Sequence, residues 1–147
     1  IKAVRMLRTA TSYLYVYTAS MREVFLVSLG SFFGGGLRFL ISKVTGLLVA
    51  TPFPAGTFVV NILGCLLIGF FSGLPQANGT FWGLRPDTRL LLTTGLCGGF
   101  TTFSTFMKES NVLAGNHPLM LAAYIMLSLA LGFVAVWGGL RLGQAIG

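Results

Sequence analysis

Long apolar runs, each bounded by charged or turn-forming residues, dominate the pattern of this 147-residue chain. Four stand out, over about 24–50, 56–74, 90–114 and 118–142. A spanning helix needs roughly 20 mostly apolar residues, and each run qualifies. The pattern predicts four transmembrane helices with short connections near 51–55, 75–89 and 115–117. Pro52 and Pro54 punctuate the first connection, since proline breaks a helix interior. So little chain is left over that residues 21–147 read as one all-α membrane domain.

The third run departs from the others. Residues 95–106 read Gly-Leu-Cys-Gly-Gly-Phe-Thr-Thr-Phe-Ser-Thr-Phe, with three glycines and four hydroxyl residues where lipid-facing leucines are expected. In hydrocarbon every backbone N–H and C=O must be satisfied internally, so irregular backbone is tolerated only where protein or water covers it. The stretch predicts a third helix broken at its centre, and such breaks mark ion or substrate sites. A helix restarting after the break aims its N-terminal amides at the cavity, which favours an anion. Free carbonyls before the break suit a cation such as Na⁺.

Residues 1–20 follow a different pattern. Lys2, Arg5 and Arg8 precede a run rich in Thr, Ser and Tyr, without the clean apolar core of a signal peptide. They read as an N-terminal extension, either disordered or interfacial, with Tyr13, Tyr15 and Tyr17 at headgroup level. Met21 is a plausible internal start.

Composition fits the membrane reading. Hydrophobic residues make up 54% of the chain and charged residues 9%, whereas soluble domains carry about 25%. The 20 glycines suit helices that pack closely through small residues, and Gly30 and Gly34 form one such spaced pair. The net charge of +7 raises the question of nucleic acid, but the ten basic residues are scattered at the edges of apolar runs, where lipid is the partner. Lys2, Arg5, Arg8, Arg22, Arg85, Arg89 and Arg141 fall on one side and Lys43 and Lys108 on the other. That favours N-terminus inside. Without residues 1–20 the count is only four against two, a bias weak enough to permit insertion in both orientations.

The acidic residues narrow the function. Glu23 and Asp87 fall at segment edges, and Glu109 lies past the break. No carboxylate is expected mid-span, yet proton-coupled cation transport needs one there. His117 lies in a loop and reads as a surface residue. The sequence carries no serine-hydrolase elbow, zinc-protease or phosphate-loop motif, so nothing points to an enzyme. Cys65 and Cys97 sit in apolar runs as small packing residues, without metal spacing.

The intramembrane polar residues are mostly neutral donors: Thr57, Asn61, Thr93, Thr94, Thr101, Thr102, Ser104, Thr105, Tyr124 and Ser128. Asn61 serves either as interhelical glue or as a ligand contact. Phe103 and Phe106 share a helical face, and the partly positive edge of an aromatic ring can line an anion path; ordinary core or lipid contact is the plainer role for such a pair.

Three stretches together resemble the Fluc (CrcB) fluoride channels. Gly95–Phe106 resembles their third-span signature. Gly56-Thr57-Phe58-Val59-Val60-Asn61-Ile62-Leu63-Gly64 resembles their second-span motif, and Gly34-Gly35-Gly36-Leu37-Arg38-Phe39 their first-span motif. Order and spacing agree over about residues 21–147.

The resemblance implies a passive fluoride channel that exports fluoride across the bacterial inner membrane. It implies an antiparallel, dual-topology homodimer with two pores and a structural Na⁺ at its centre. Carried over by motif position, the Na⁺ ligands are the backbone carbonyls of Gly98 and Thr101. The fluoride pathway takes Asn61, Phe103, Phe106, Ser104, Thr105, Tyr124 and Ser128. Arg38 either attracts anions at a vestibule or packs and snorkels. Gly132, one turn beyond Ser128, departs from relatives that carry a hydroxyl there. Two other classes fit four spans: a small multidrug-type antiporter, and a non-transporting scaffold that leaves the Gly/Thr cluster without purpose.

Overall fold

The computed structural model describes the backbone of residues 2–75 and 83–147, and the side chains of residues 20–75 and 83–147. The expected headgroup placement of Tyr13, Tyr15 and Tyr17 lies outside the described residues. So do residues 76–82 of the expected 75–89 connection.

The chain is helical throughout its described spans. Helix α1 runs Lys2–Leu48 and α2 runs Ala55–Gly73. The third span comprises α3 (Pro86–Leu90), a π-helical stretch (Leu91–Cys97), α4 (Gly98–Phe100) and α5 (Phe103–Asn116). Helix α6 runs Pro118–Ile146. Four segments are long and apolar enough to cross a membrane: Ser20–Leu48, Ala55–Gly73, Pro86–Asn116 and Pro118–Ile146.

The third span begins at Pro86, four residues earlier than the apolar pattern predicts. Proline is pre-organised for the first helical position, where its missing N–H costs nothing. Asp87 in the first turn complements the helix dipole and binds Arg22 of α1, near the start of the spanning segment Ser20–Leu48. The expected 115–117 connection shrinks to His117, an exposed residue whose N–H closes α5 on Leu113 and whose carbonyl opens α6. Pro118 again takes the first helical position.

Two helix pairs hold the bundle. In the first, α2 and α6 meet through Gly69 and Gly73 on one side and Gly139 and Gly143 on the other. A Cβ at any of the four would strike a backbone carbonyl of the facing helix. In the second, α1 packs on the third span: a Cβ on Gly95 would stand 3.0 Å from Gly30 Cα, and one on Gly34 would strike the Leu96 carbonyl. The Gly30/Gly34 pair predicted for close contact is therefore used within the chain. At the same crossing Ser31 Oγ donates to the Gly95 carbonyl at 3.2 Å, alongside the π-helical stretch. A side chain reaching into the helical ladder is a recognised cause of such local rewinding.

The buried apolar cluster lies toward one end. Phe106, Leu113 and Tyr124 form it, with Phe53, Phe58, Met120, Leu121 and Ile125 packed around them. Most other large apolar side chains face outward, as lipid-facing helices require.

Candidate functional site

The third helix breaks at Thr101–Thr102. Both residues are extended, with φ/ψ of −78°/158° and −147°/118°. This bears out the interruption expected from the Gly-Gly-x-Thr-Thr pattern. Its geometry is held by side chains that bond the backbone around it. Thr101 Oγ1 donates to the Cys97 carbonyl at 3.0 Å. Thr102 Oγ1 accepts from the Thr105 amide at 3.3 Å and so caps α5.

Asn61 clamps the break from α2. Its Oδ1 accepts from the Thr102 amide at 2.8 Å and its Nδ2 donates to the Thr102 carbonyl at 3.1 Å. Of the two roles left open for Asn61, the structure supplies the first: it satisfies both backbone groups of one unwound residue. It also lines the adjoining cleft. Gly64, one turn on, lets this happen, since a Cβ there would strike the Thr101 methyl group.

The break leaves the carbonyls of Gly98, Gly99, Phe100 and Thr101 without helical donors, and these bonds take up two of the amides concerned. In an unbroken helix the Gly98 carbonyl accepts from the Thr102 amide and the Thr101 carbonyl from the Thr105 amide. Here those amides go to Asn61 Oδ1 and Thr102 Oγ1. The two positions expected to hold a cation are among the four carbonyls, Gly98 to Thr101, that the break leaves without a helical donor. Oxygen atoms of this kind suit a hard cation. Gly98 is exposed on the chain's outer face.

Beside the break lies a cleft of about 390 Å³, mostly apolar with a few convergent polar groups. Asn61, Cys65, Thr101, Phe103, Phe106 and Ser128 line it. The two phenylalanine rings lie 6.2 Å apart. Phe106 is buried and rests on Tyr124, 4.8 Å between centroids. Phe103 is 75% exposed. Ser128 Oγ is buried without a hydrogen-bond partner.

Other expected site residues fall elsewhere. Ser104 and Thr105 are exposed and turn their hydroxyls to Thr102 Oγ1, at 3.5 and 3.0 Å, rather than into the cleft. Arg38 is half-buried on α1, its guanidinium 4.0 Å from where a Gly35 Cβ would stand, and does not line the cleft. Tyr124 is fully buried and sits behind Phe106.

Glu109 lies past the break, as expected, and away from the middle of the span, but it is not idle. It lies inside the third span, half-buried. Its Oε1 accepts from Thr57 Oγ1 and its Oε2 from Tyr124 OH, both at 2.9 Å. Three spans therefore meet at one carboxylate, which also lines two smaller clefts near Thr51–Pro54. The signal was present in the spacing: Glu109 is three residues after Phe106 and shares its helical face.

Fold and cleft together define a class: a small four-span membrane protein whose discontinuous third helix lines a polar-edged cleft. Comparison with known proteins specifies it. Residues 25–140 match the family described as CrcB-like protein, Camphor Resistance (CrcB). The chain belongs to this family. It is 42% identical over 127 residues to the fluoride-specific ion channel FluC of Flavobacterium psychrophilum, covering 86% of this chain and 100% of that protein. The FluC of Maridesulfovibrio salexigens is 42% identical over 127 residues, 86% of this chain and 98% of its own. That of Methylobacillus flagellatus is 44% identical over 124 residues, 83% and 94% respectively.

Proposed function

We propose that this chain is a passive fluoride channel of the bacterial inner membrane, and that it works as an antiparallel homodimer around a central Na⁺. The observation that carries the reading is the cleft at the break, where one amide side chain, hydroxyls and two phenylalanine rings converge without a full charge on its wall. Fluoride is small and strongly hydrated, so its water is lost only where donors replace it. Neutral donors and ring edges replace part of that shell without trapping the ion, and conduction requires release as well as entry. The names carried by the similar proteins support fluoride as the ion.

What one chain leaves bare supports the dimer. Gly98 is exposed although its carbonyl has lost its helical donor, and Thr94, Ser104 and Thr105 are exposed on the same span. Lipid cannot satisfy such groups; a second copy crossing at the break covers them. Two carbonyls from one chain are too few for a cation. Gly98 and Thr101 from each of two copies make four oxygens, and bound Na⁺ would neutralise the carbonyl ends where the chains meet. The weak charge asymmetry, Arg22, Arg85, Arg89 and Arg141 against Lys43 and Lys108, is compatible with opposed copies.

Glu109 is the one observation that speaks for the antiporter reading, since a proton-coupled exchanger needs an intramembrane carboxylate. Family membership favours the channel, and both oxygens of Glu109 are already engaged by Thr57 and Tyr124.

Efflux from fluoride-loaded liposomes tests the function: fluoride is expected to leave far faster than chloride. Equal leak of both, or none, sinks the reading. Replacing Na⁺ with a large organic cation is expected to lower the flux. A cysteine introduced at the C-terminus is expected to label from both sides of the membrane, and labelling from one side alone removes the antiparallel arrangement.

A further inference from the structure

The fourth span presents Tyr124 and Ser128 one helical turn apart, and the next position on that face is Gly132. Tyr124 OH is committed to Glu109. Ser128 Oγ is buried and free of partners, on the wall of the cleft. Gly132 is buried and contributes no side chain. The row of hydroxyls on α6 therefore lapses one turn beyond Ser128.

Another helix closes the gap. A Cβ on Gly132 would stand 3.5 Å from Cys65 Sγ and 4.0 Å from Ile62 Cδ1. Both are ordinary contact distances, so the wall beside Gly132 is formed by the sulfur of Cys65. Cys65 is a free thiol, half-buried, on the wall of the same cleft as Asn61 and Ser128. It also lies four residues after Asn61, so on α2 the two share a face. Two independent directions, the α2 face through Asn61 and the α6 face through Ser128, converge on this one thiol.

We propose that Cys65 is a residue of the anion path, its S–H continuing the line of donors where α6 offers only Gly132. The proposal rests on the channel reading. A thiol is a weak hydrogen-bond donor, which matches a position where the ion must bind and leave again. A purely space-filling cysteine would be replaceable by alanine without effect on flux.

The experiment uses fluoride efflux from liposomes holding the protein in a Cys97→Ala background, so that Cys65 is its remaining thiol. Cys65→Ala is expected to lower flux about fivefold, the scale of one hydrogen bond. Cys65→Ser is expected to retain flux. Adding Gly132→Ser to Cys65→Ala is expected to recover most of the loss, because the new hydroxyl enters the space the sulfur leaves. Ag⁺, a soft cation that seeks thiols, is expected to block the protein carrying Cys65 and to spare Cys65→Ala, each measured against its own flux. Equal fluoride flux from the Cys, Ala and Ser proteins overturns the proposal, whether or not Ag⁺ blocks, and leaves the channel intact. Absence of fluoride flux from the unaltered protein overturns the channel reading itself.

Discussion

The α2–α6 seam and the third span solve opposite problems with the same small residues. At the seam, Gly69, Gly73, Gly139 and Gly143 remove side chains so that two unbroken helices touch backbone to backbone. Every peptide bond there stays within its own helix, and close packing supplies the attraction that lipid cannot. In the third span, glycine precedes a break, and the Thr102 and Thr105 amides that lose helical acceptors there are taken up by the side chains of Asn61 and Thr102. The seam can be rigid because it has nothing to bind. The break frees carbonyls and opens a cleft, and it depends on specific side chains that a uniform helix would not need.

Substitutions distinguish these two kinds of packing. The largest effect is expected at the seam: Gly139→Leu drives a side chain into the Leu66 carbonyl and the Phe70 amide, costing about 3 kcal/mol through overpacking that backbone cannot relieve. Loss of the monodisperse species on heating in detergent measures it; an unchanged midpoint would show that the seam is loose. Asn61→Ala orphans the Thr102 amide and strips one of two bonds from the Thr102 carbonyl, which as N-cap keeps the first bond of α5; about 1–3 kcal/mol is expected to be lost, with flux lost as well. Unfolding in denaturant beside the efflux assay checks both, and normal flux would show that the break holds its shape without the clamp.

Smaller effects separate path from scaffold within the broken span. Phe106→Ile keeps an apolar side chain in the buried cluster but removes the ring edge. Flux is expected to fall at least about tenfold, a barrier change of about 1.4 kcal/mol, while assembly by size-exclusion survives. Unchanged flux would return Phe106 to the core alone. Thr102→Val removes the cap of α5 and is expected to cost about 1 kcal/mol, read from the thermal midpoint. Least of all, Arg22→Ala breaks an exposed ion pair with Asp87 and is expected to change stability by less than about 1 kcal/mol, a difference that added salt should shrink.

Much of the architecture was legible because a membrane is a demanding solvent. The lengths of the apolar runs set the four spans, and the clustered Gly and Thr residues located the break. The site was legible only in part. Asn61 could be singled out as a polar residue in an apolar run, but its two bonds to Thr102 bridge 41 residues of sequence. Ser104 and Thr105 differ from Ser128 only in which way their helix faces, and hydroxyl chemistry alone does not report rotation about a helix axis. The partners of Glu109 were hidden for the same reason: the packing of α5 against α2 and α6 puts its carboxylate between Thr57 and Tyr124.

The sequence by itself determined the number of spans, the place of the break and the family motifs, because length, hydropathy and glycine content act locally and are read residue by residue. The tertiary structure decided which amide reaches which side chain, which carbonyls go without a helical donor, and which glycines touch. Those outcomes depend on the rotation and crossing of whole helices, which are set by contacts distant along the chain.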